Sequence, residues 1–291
     1  MANLKEIRNR IVSVSSTQQI TSAMKMVSAA KLRRAQDAVT QMRPYANKLK
    51  EILENLSASL DSSEGVYSKQ RDVKNVLLVV VTSNRGLCGG FNANVIKAAN
   101  RLIREEYKGK KINVLCIGKK GADYFRKTDL FYTVESAKPL NELFDQLTFA
   151  NVAPVAEKIM EVFASGEFDR IDLVYNQFKN AAVQITTQEQ YLPVAPPKAE
   201  TKVATKEYIF EPSKQYIVED LIPRSLKTQL FKSLLDSLAA EHGARMTAMH
   251  KATDNAGALI KELKLTYNKA RQAAITNEIL EIVGGAEALN G

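Results

Sequence analysis

The feature that most constrains this chain is an apolar repeat near its N-terminus. From residue 3 to residue 60 the sequence contains no glycine, and apolar residues recur at steps of three or four on both sides of one gap. They are Leu4, Ile7, Ile11, Val14, Leu32, Ala35, Val39, Met42, Ala46, Leu49, Leu53, Leu56 and Leu60. This spacing is typical of a helix in a coiled coil. Such a helix would be on the order of 80 Å long, so part of it must project from a compact domain.

Local signals support the same helix. Asn3 and Glu6 have the spacing of a capping box, which marks the helix start. Pro44 is the one proline within it, and we expect a bend there without a helix end.

The apolar repeat has a gap between Val14 and Leu32. Continuing the register through the gap places four polar side chains inside, namely Gln18, Thr21, Lys25 and Ser28. The apolar residues of this stretch, Ile20, Met24 and Val27, fall on a neighbouring face. Either the helix rotates relative to its partner, or something outside the pair holds this stretch. We favour the second explanation.

A second apolar repeat occupies the C-terminal end. It consists of Phe231, Leu235, Leu238, His242, Met246, Met249, Thr253, Ala256, Ile260, Leu263, Tyr267, Ala270 and Ala274. Pro223 suits the first turn of this helix, which would extend about 100 Å to Leu289. We expect the two terminal helices to pair antiparallel as a coiled coil, with Leu4 opposite about residue 269. Residues beyond about Ala270 would then protrude as a single helix.

The middle of the chain has the pattern of an α/β body. Short β-branched runs predict strands at 76–81, 112–117, 131–134, 171–177 and 183–191. Helices are predicted at 91–107, 119–127 and 152–165, with Pro154 in the first turn of the last one. This alternation predicts a largely parallel, Rossmann-like sheet whose last two strands form a hairpin. The predicted segments are therefore 1–60, 73–192, a connector at 193–222, and 223–291.

Composition limits the class of protein. The net charge of +9 fits an anionic partner, although a merely soluble basic protein would also explain it. Two cysteines, Cys88 and Cys116, fit a reducing compartment. No secretory signal is visible, and the longest apolar run, 76–81, is far shorter than the ~20 residues of a membrane span. We therefore expect no insertion into a bilayer.

No catalytic constellation can be assembled. The stretch 83–90 follows a strand and precedes a helix, but its glycines fall as G-x-x-G-G and it lacks the Gly-Lys-Ser/Thr ending of a phosphate loop. We interpret it as a tight turn, with an anion site as the alternative. His242 and His250 are too far apart for one metal, and Cys88 is expected to be a buried thiol. The sequence thus predicts no catalytic residue, no metal and no cofactor.

Three motifs resemble the gamma-subunit family of F-type ATP synthases. ITSAMKMVSAAKLRRAQ at 20–36 is similar to that family's N-terminal signature, and SNRGLCGGFNAN at 83–94 to its glycine-rich motif. YNKARQAAITNE at 267–278, continuing through Glu281, Gly285 and Ala286, is similar to its C-terminal signature. They occur in order and span nearly the whole chain.

The resemblance implies a non-catalytic rotor shaft. Its helical pair would turn inside a ring of α and β subunits and couple ion flow through the c-ring to conformational cycling of the β subunits. The α/β body would meet the ε subunit and the membrane c-ring, with 193–222 contributing the foot. The location would be peripheral, at the cytoplasmic face of the cell inner membrane. The start at Met1 without a transit segment favours a bacterial source, and the connector lacks the cysteine-bearing insert of chloroplast members.

The resemblance also implies roles for individual residues. Contacts with β subunits would fall on Met24, Lys25, Arg33, Arg34, Arg245, Arg271, Gln272, Thr276 and Glu278. The foot would seat on the c-ring through Tyr208 and Glu211. The stripe Ile275, Ile279, Ile282, Ala286 and Leu289 would run in an apolar bearing at the top of the ring.

Two other functions remain open at this point. One is a coiled-coil protein that binds nucleic acid through its basic residues, although aromatic residues are sparse among them. The other is a nucleotide-dependent enzyme that uses the 83–90 loop. Copurification distinguishes them, because the three functions require protein partners, nucleic acid and a small molecule respectively.

Overall fold

The computed structural model describes residues 4–59, 66–135, 139–194 and 214–290. The elements in chain order are α1 Leu4–Ser59, β1 Asn75–Val81, α2 Phe91–Arg104, β2 Lys111–Ile117, α3 Lys119–Phe125, β3 Phe131–Tyr132, a 3-10 helix Leu140–Phe144, α4 Phe149–Ala164, β4 Arg170–Phe178, β5 Gln184–Leu192 and α5 Lys214–Asn290. The predicted long terminal helices and the central α/β body are confirmed. Most of the predicted connector, with Tyr208 and Glu211, lies outside the described residues.

The chain divides into two units. The smaller consists of Met1–Ser28 and Met246–Gly291, and the larger is Ala29–Arg245. Each long helix therefore contributes to both units.

The sheet of the larger unit is mainly parallel, as predicted. Its strand order is β3-β2-β1-β4-β5. β1 pairs in parallel with β2 and β4, and β2 pairs in parallel with β3. β4 and β5 form the predicted antiparallel hairpin. Successive strands are added on one side of β1 up to β3 and on its other side from β4 onwards. Rossmann-like sheets usually bind ligands at such a change of side, here between β1 and β4.

Helices cover both faces of this sheet. Leu77, Val79 and Val81 of β1 point to a face covered by α4 and by residues 222–234 of α5. Val76, Leu78 and Val80 point to the opposite face, covered by α2 and α3. Because both faces are covered, all six side chains are buried, which explains why β1 has a continuous apolar sequence.

Two helices begin earlier than their prolines indicate. α4 begins at Phe149, so Pro154 lies in its second turn and not in the first, and α5 begins at Lys214, well before Pro223. A proline inside a helix costs about 3 kcal/mol. Neighbouring residues offset this cost, because Val155 and Ala156 in α4 and Ile222 in α5 are buried. Each larger apolar side chain contributes about 1.5–3 kcal/mol on burial.

The smaller unit is an antiparallel helical pair. The hydroxyl oxygens of Thr21 and Thr253 lie 2.8 Å apart, and Lys25 Nζ lies 3.4 Å from His250 Nδ1. A methyl group added to Gly257 would come within 2.9 Å of Gln18 Nε2.

These contacts fix the register of the pair. Going back 14 residues from Gln18 reaches Leu4, and going forward 14 from Gly257 reaches Arg271. The predicted position opposite Leu4, about residue 269, is thus correct to within a helical turn.

Candidate functional site

The polar stretch of α1 lies inside the helical pair. We call Gln18, Thr21, Lys25 and Ser28 the polar seam. Thr21 and Ser28 are only 8% and 3% exposed, whereas Ile20 and Val27 are each 57% exposed. The helix therefore keeps its register through the gap and does not rotate. The result is a seam of hydroxyl, amide and amine groups beside an exposed apolar face.

Polar contacts make this part of the pair weaker than an apolar seam would be. Thr21 Oγ1 donates to Gln18 O at 3.0 Å, and Ser28 Oγ donates to Met24 O at 2.7 Å. Such bonds contribute about 0.5–1.5 kcal/mol each, less than burial of a leucine. Gly257 adds a further cost of about 1 kcal/mol relative to alanine in a helix interior.

Replacing Gln18 and Thr21 by leucine should raise the melting temperature of the purified chain. We expect a gain of about 1–3 kcal/mol, because apolar area is buried in place of polar groups. Thr253 keeps a partner, since its hydroxyl also lies 2.8 Å from Met249 O. Circular dichroism during heating would measure the change, with Gln19→Leu on the exposed face as control. A lower melting temperature in Q18L/T21L would show that this register is wrong.

The C-terminal end of α5 is exposed beyond the position opposite Leu4. Arg271, Gln272, Thr276 and Glu278 are all exposed. The apolar residues Ile275, Ile279, Ile282 and Ala286 are exposed as well, Ile282 to 71%. The side chain of Leu289 lies outside the described residues. An exposed apolar stripe on a single helix favours a protein partner that covers it.

The remaining candidate contact residues on α1 differ in exposure. Arg33 and Arg34 are exposed, whereas Met24 and Lys25 are half-buried in the pair. Lys25 Nζ is near His250 Nδ1, which lies 3.4 Å from Asp254 Oδ2. The sequence reasoning did not identify His250 and Asp254 as neighbours of Lys25, because helix register decides which residues meet across a pair.

Arg245 occupies an interior position that the sequence did not indicate. It is 8% exposed, and its Nη1 donates to Glu241 Oε1 at 2.6 Å. Its Nη2 donates to the carbonyl oxygens of Arg85 at 3.0 Å and Gly86 at 3.3 Å. In this chain the Arg245 side chain therefore binds the glycine-rich loop.

The glycine-rich loop has the predicted form of a tight turn. It joins β1 to α2 with Leu87 and Gly89 at φ 61° and 59°. Ser83 N donates to Asn92 Oδ1 at 2.9 Å, and Asn92 Nδ2 donates to the buried Cys88 Sγ at 3.2 Å. A phosphate site needs N–H groups that point at the anion. Here the carbonyl oxygens of Arg85 and Gly86 point at a guanidinium group instead.

A second arginine contact, from the half-buried Arg43 to the buried Asp236, joins α1, α5 and β4. Arg43 Nη2 donates to Asp236 Oδ1 at 3.0 Å and to Phe178 O at 2.9 Å. Burial raises the pKa of Asp236, and the Arg43 guanidinium opposes that rise. Neither Arg43 nor Asp236 belongs to the apolar repeats of the two long helices, so no sequence pattern indicated this pair.

His242 is buried among positive charges. Within the described residues its Nδ1 atom has no hydrogen-bond partner. Burial, followed by the charges of Arg245 and Lys31, lowers the pKa of His242 to about 4. The folded chain therefore holds this ring neutral at pH values where an unfolded histidine is charged.

The chain should lose stability through His242 as the pH falls from about 6.5 to about 4, because the unfolded state binds the extra proton. At pH 4.5 this loss should be about 2–3 kcal/mol relative to pH 8. Glu241 and Asp236, whose pKa values are raised by burial, act in the opposite direction. Denaturant unfolding of His242→Leu at both pH values, compared with the unaltered chain, isolates the histidine.

His242→Gln is the matched control, since it also cannot titrate in this range. Both variants should show the same reduced loss on acidification. If the unaltered chain and both variants lose stability equally, the low pKa of His242 is contradicted.

Other chemical groups are sparse in the described part of the chain. No three histidine, cysteine, aspartate or glutamate side chains converge there as a metal site would require. Cys116 is also buried, and burial raises the pKa of its thiol to about 12. None of the described helices is both long and apolar enough to cross a bilayer.

Comparisons with known proteins match nearly the whole length of this chain to one family. A family model described as ATP synthase matches residues 3–289. The ATP synthase gamma chain of Flavobacterium johnsoniae is 65% identical over 292 residues, and that of Flavobacterium psychrophilum is 64% identical over 292 residues. Each alignment covers 100% of both chains.

Solved structures support the same fold. A chain in the rotor of the Euglena gracilis mitochondrial ATP synthase matches with a TM-score of 0.65 and 22% identity, covering 94% of this chain and 98% of that chain. A chain of the Tetrahymena thermophila central stalk and c-ring structure matches with a TM-score of 0.56 and 24% identity, covering 80% and 99%. Together with the full-length relatives, these findings establish that the chain belongs to the ATP synthase gamma-chain family.

Proposed function

We propose that this chain is the central rotor shaft of an ATP synthase and carries no catalytic site of its own. The observation that carries this proposal is the exposed end of α5, where an apolar stripe continues beyond the last residue paired with α1. Such a helix needs a surrounding protein surface. A ring of α and β subunits around the tail would supply one.

The shaft would act by differential contact. At each angle of rotation the shaft must bind one conformation of a β subunit more strongly than the other conformations. A shaft that bound all conformations equally would not change their populations. Arg271 and Gln272, with Thr276 and Glu278 further along, would contact β subunits from the tail. Met24, Lys25, Arg33 and Arg34 would do so from α1.

Arg245 is the weakest member of this proposed contact set. Its side chain is buried and bound to Glu241 and to the glycine-rich loop. We therefore propose that it also serves the shaft from within, while its contact with a β subunit stays a prediction.

The partners at the other end would be the ε subunit and the c-ring. Ion flow would turn the ring, and the α/β body would pass the rotation to the helices. The foot contacts at Tyr208 and Glu211 belong to this proposal, although both residues lie outside the described part of the chain. The complex would hold the chain peripherally at the cytoplasmic face of the cell inner membrane.

Copurification tests the proposal directly. An affinity tag on this chain at native abundance should recover α, β and ε subunits with the c-ring. The isolated chain should not bind Mg-ATP, because its sequence lacks the Gly-Lys-Ser/Thr ending with which a phosphate loop holds phosphate and magnesium. Isothermal calorimetry would check this, and a micromolar dissociation constant would favour the nucleotide-dependent enzyme. Recovery of nucleic acid in place of these subunits would favour the nucleic-acid-binding alternative.

A further inference from the structure

Two arginines, the buried Arg245 and the half-buried Arg43, bind the edge of the sheet where Rossmann-like proteins usually hold a ligand. The crevice of such a sheet lies beyond the carboxyl ends of the strands at which the strand order reverses, here β1 and β4. Arg245 binds the carbonyl oxygens of Arg85 and Gly86, which follow β1. Arg43 binds the carbonyl oxygen of Phe178, the last residue of β4.

Each arginine also binds a buried carboxylate on α5. Arg245 pairs with Glu241 at 2.6 Å, and Arg43 pairs with Asp236 at 3.0 Å. The two carboxylates are five residues apart on the same helix. The α/β body is thus held to α5 directly through Arg245, and to α1 and α5 together through Arg43.

The backbone is closely packed around these contacts. A methyl group added to Gly243, which lies between Glu241 and Arg245 on α5, would come within 3.2 Å of Ala181 O. Ala181 belongs to the hairpin turn after Phe178. The helix and the sheet edge therefore meet at short range, through directional bonds that fix their relative position.

We propose that Arg43 and Arg245, with their carboxylates, form a joint that carries torque between the α/β body and helices α1 and α5. This inference rests on the proposed rotor function. Apolar contacts such as those of Leu226 and Leu230 stabilise the same interface, but apolar surfaces can slide over one another. Charge-assisted bonds to fixed carbonyl oxygens resist sliding, because a small displacement leaves buried charges without partners.

The joint can be removed without removing volume. Glu241→Met with Arg245→Met, and Arg43→Met with Asp236→Met, replace each ion pair by apolar residues of similar size. Replacement of a whole buried pair is often neutral for stability, unlike removal of one partner. These double variants should therefore fold and assemble, and Lys97→Ala on the exposed face of α2 serves as control.

Two measurements test the joint. In the purified chain, amide hydrogen exchange of residues 83–90 should speed up by about tenfold or more in E241M/R245M, because the loop loses its anchor. In membrane vesicles the complex should still hydrolyse ATP, while protons pumped per ATP hydrolysed should fall to about half or less, as expected when fixed bonds are replaced by sliding contacts. A loss of folding alone would lower both activities together.

A covalent bridge distinguishes the joint from an outward contact of Arg245. In a variant that combines Glu241→Met and Arg245→Cys with Gly86→Cys, a short thiol-reactive linker between the two new cysteines should restore pumping, whereas the same treatment of Glu241→Met with Arg245→Cys alone should not. Unchanged exchange and pumping in both double variants would overturn the proposal. So would lost pumping that the linker does not restore. If pumping does not depend on this chain at all, the rotor function fails instead, and the exchange result still decides whether the joint exists.

Discussion

Replacing Gly118 by alanine should prevent stable folding of the α/β body. Gly118 has φ 111° and ψ 143°, a conformation almost restricted to glycine. An added Cβ atom would lie 2.0 Å from Thr82 O, which is a backbone atom at the end of β1 and cannot rotate away. Thr82 N in turn donates to Ile117 O at 2.9 Å, so any shift also breaks the pairing of β1 and β2.

We expect a loss of at least about 4 kcal/mol in the free energy of unfolding, since backbone strain and overpacking both contribute. This is a large part of the stability of a typical domain. Gly109→Ala is the matched control, because Gly109 also has a positive φ of 81° but nothing lies within 4 Å of its added Cβ. It should cost only about 1–2 kcal/mol. Equal denaturant midpoints for the two variants would contradict the close approach at Gly118.

Elements with a strong periodic pattern could be predicted from the sequence. β1 is covered on both faces, so its continuous apolar run identifies it without further context. The coiled-coil repeat likewise predicts both long helices, because apolar side chains must recur along one face of each helix for the two helices to pack. The register was predicted by counting residues along two antiparallel helices of equal rise. The polar seam was also placed correctly, since Thr21 and Ser28 keep the positions that the repeat assigns to them.

Helix starts were predicted less well. Pro154 and Pro223 each suggested a first turn, yet both lie inside helices. The rule that proline breaks a helix concerns local hydrogen bonds. Burial of neighbouring side chains such as Ile222 is a tertiary contribution of similar size, and it is not visible in a local pattern.

The role of Arg245 could not be predicted for a related reason. The family resemblance placed it among the shaft residues that face a β subunit, and its sequence neighbours give no sign of its surroundings. Its partners Arg85 and Gly86 are about 160 residues away. Only the fold brings the loop after β1 against α5. Its contact with β remains a prediction, whereas its bonds within the chain are now defined.

Truncating the chain after Ala270 should reduce coupled ATP synthesis far more than truncating it after Ile282. The shorter chain loses Arg271, Gln272, Thr276 and Glu278, which are exposed and are the proposed contacts with β subunits. Two charge-assisted contacts of about 1.5–3 kcal/mol each correspond together to a loss of more than about a hundredfold in the interaction they stabilise. The longer chain keeps these residues together with Ile275 and Ile279 of the stripe.

The last part of α5 should contribute less to coupling. Gly284 and Gly285 weaken the helix there, and nothing lies within 4 Å of a Cβ added to either one. We therefore expect the tip to be guided by its surroundings and not clamped, so deletion after Ile282 should leave assembly intact and remove only part of the activity. Immunoblots of membranes would measure assembly, and ATP-driven proton pumping would measure coupling. Equal losses in the two truncations would contradict separate roles for the two parts of the tail. Cross-linking of a cysteine at position 286 to α1 in the isolated chain would contradict the protruding tail itself, because α1 begins at Leu4, opposite residue 271 in this register.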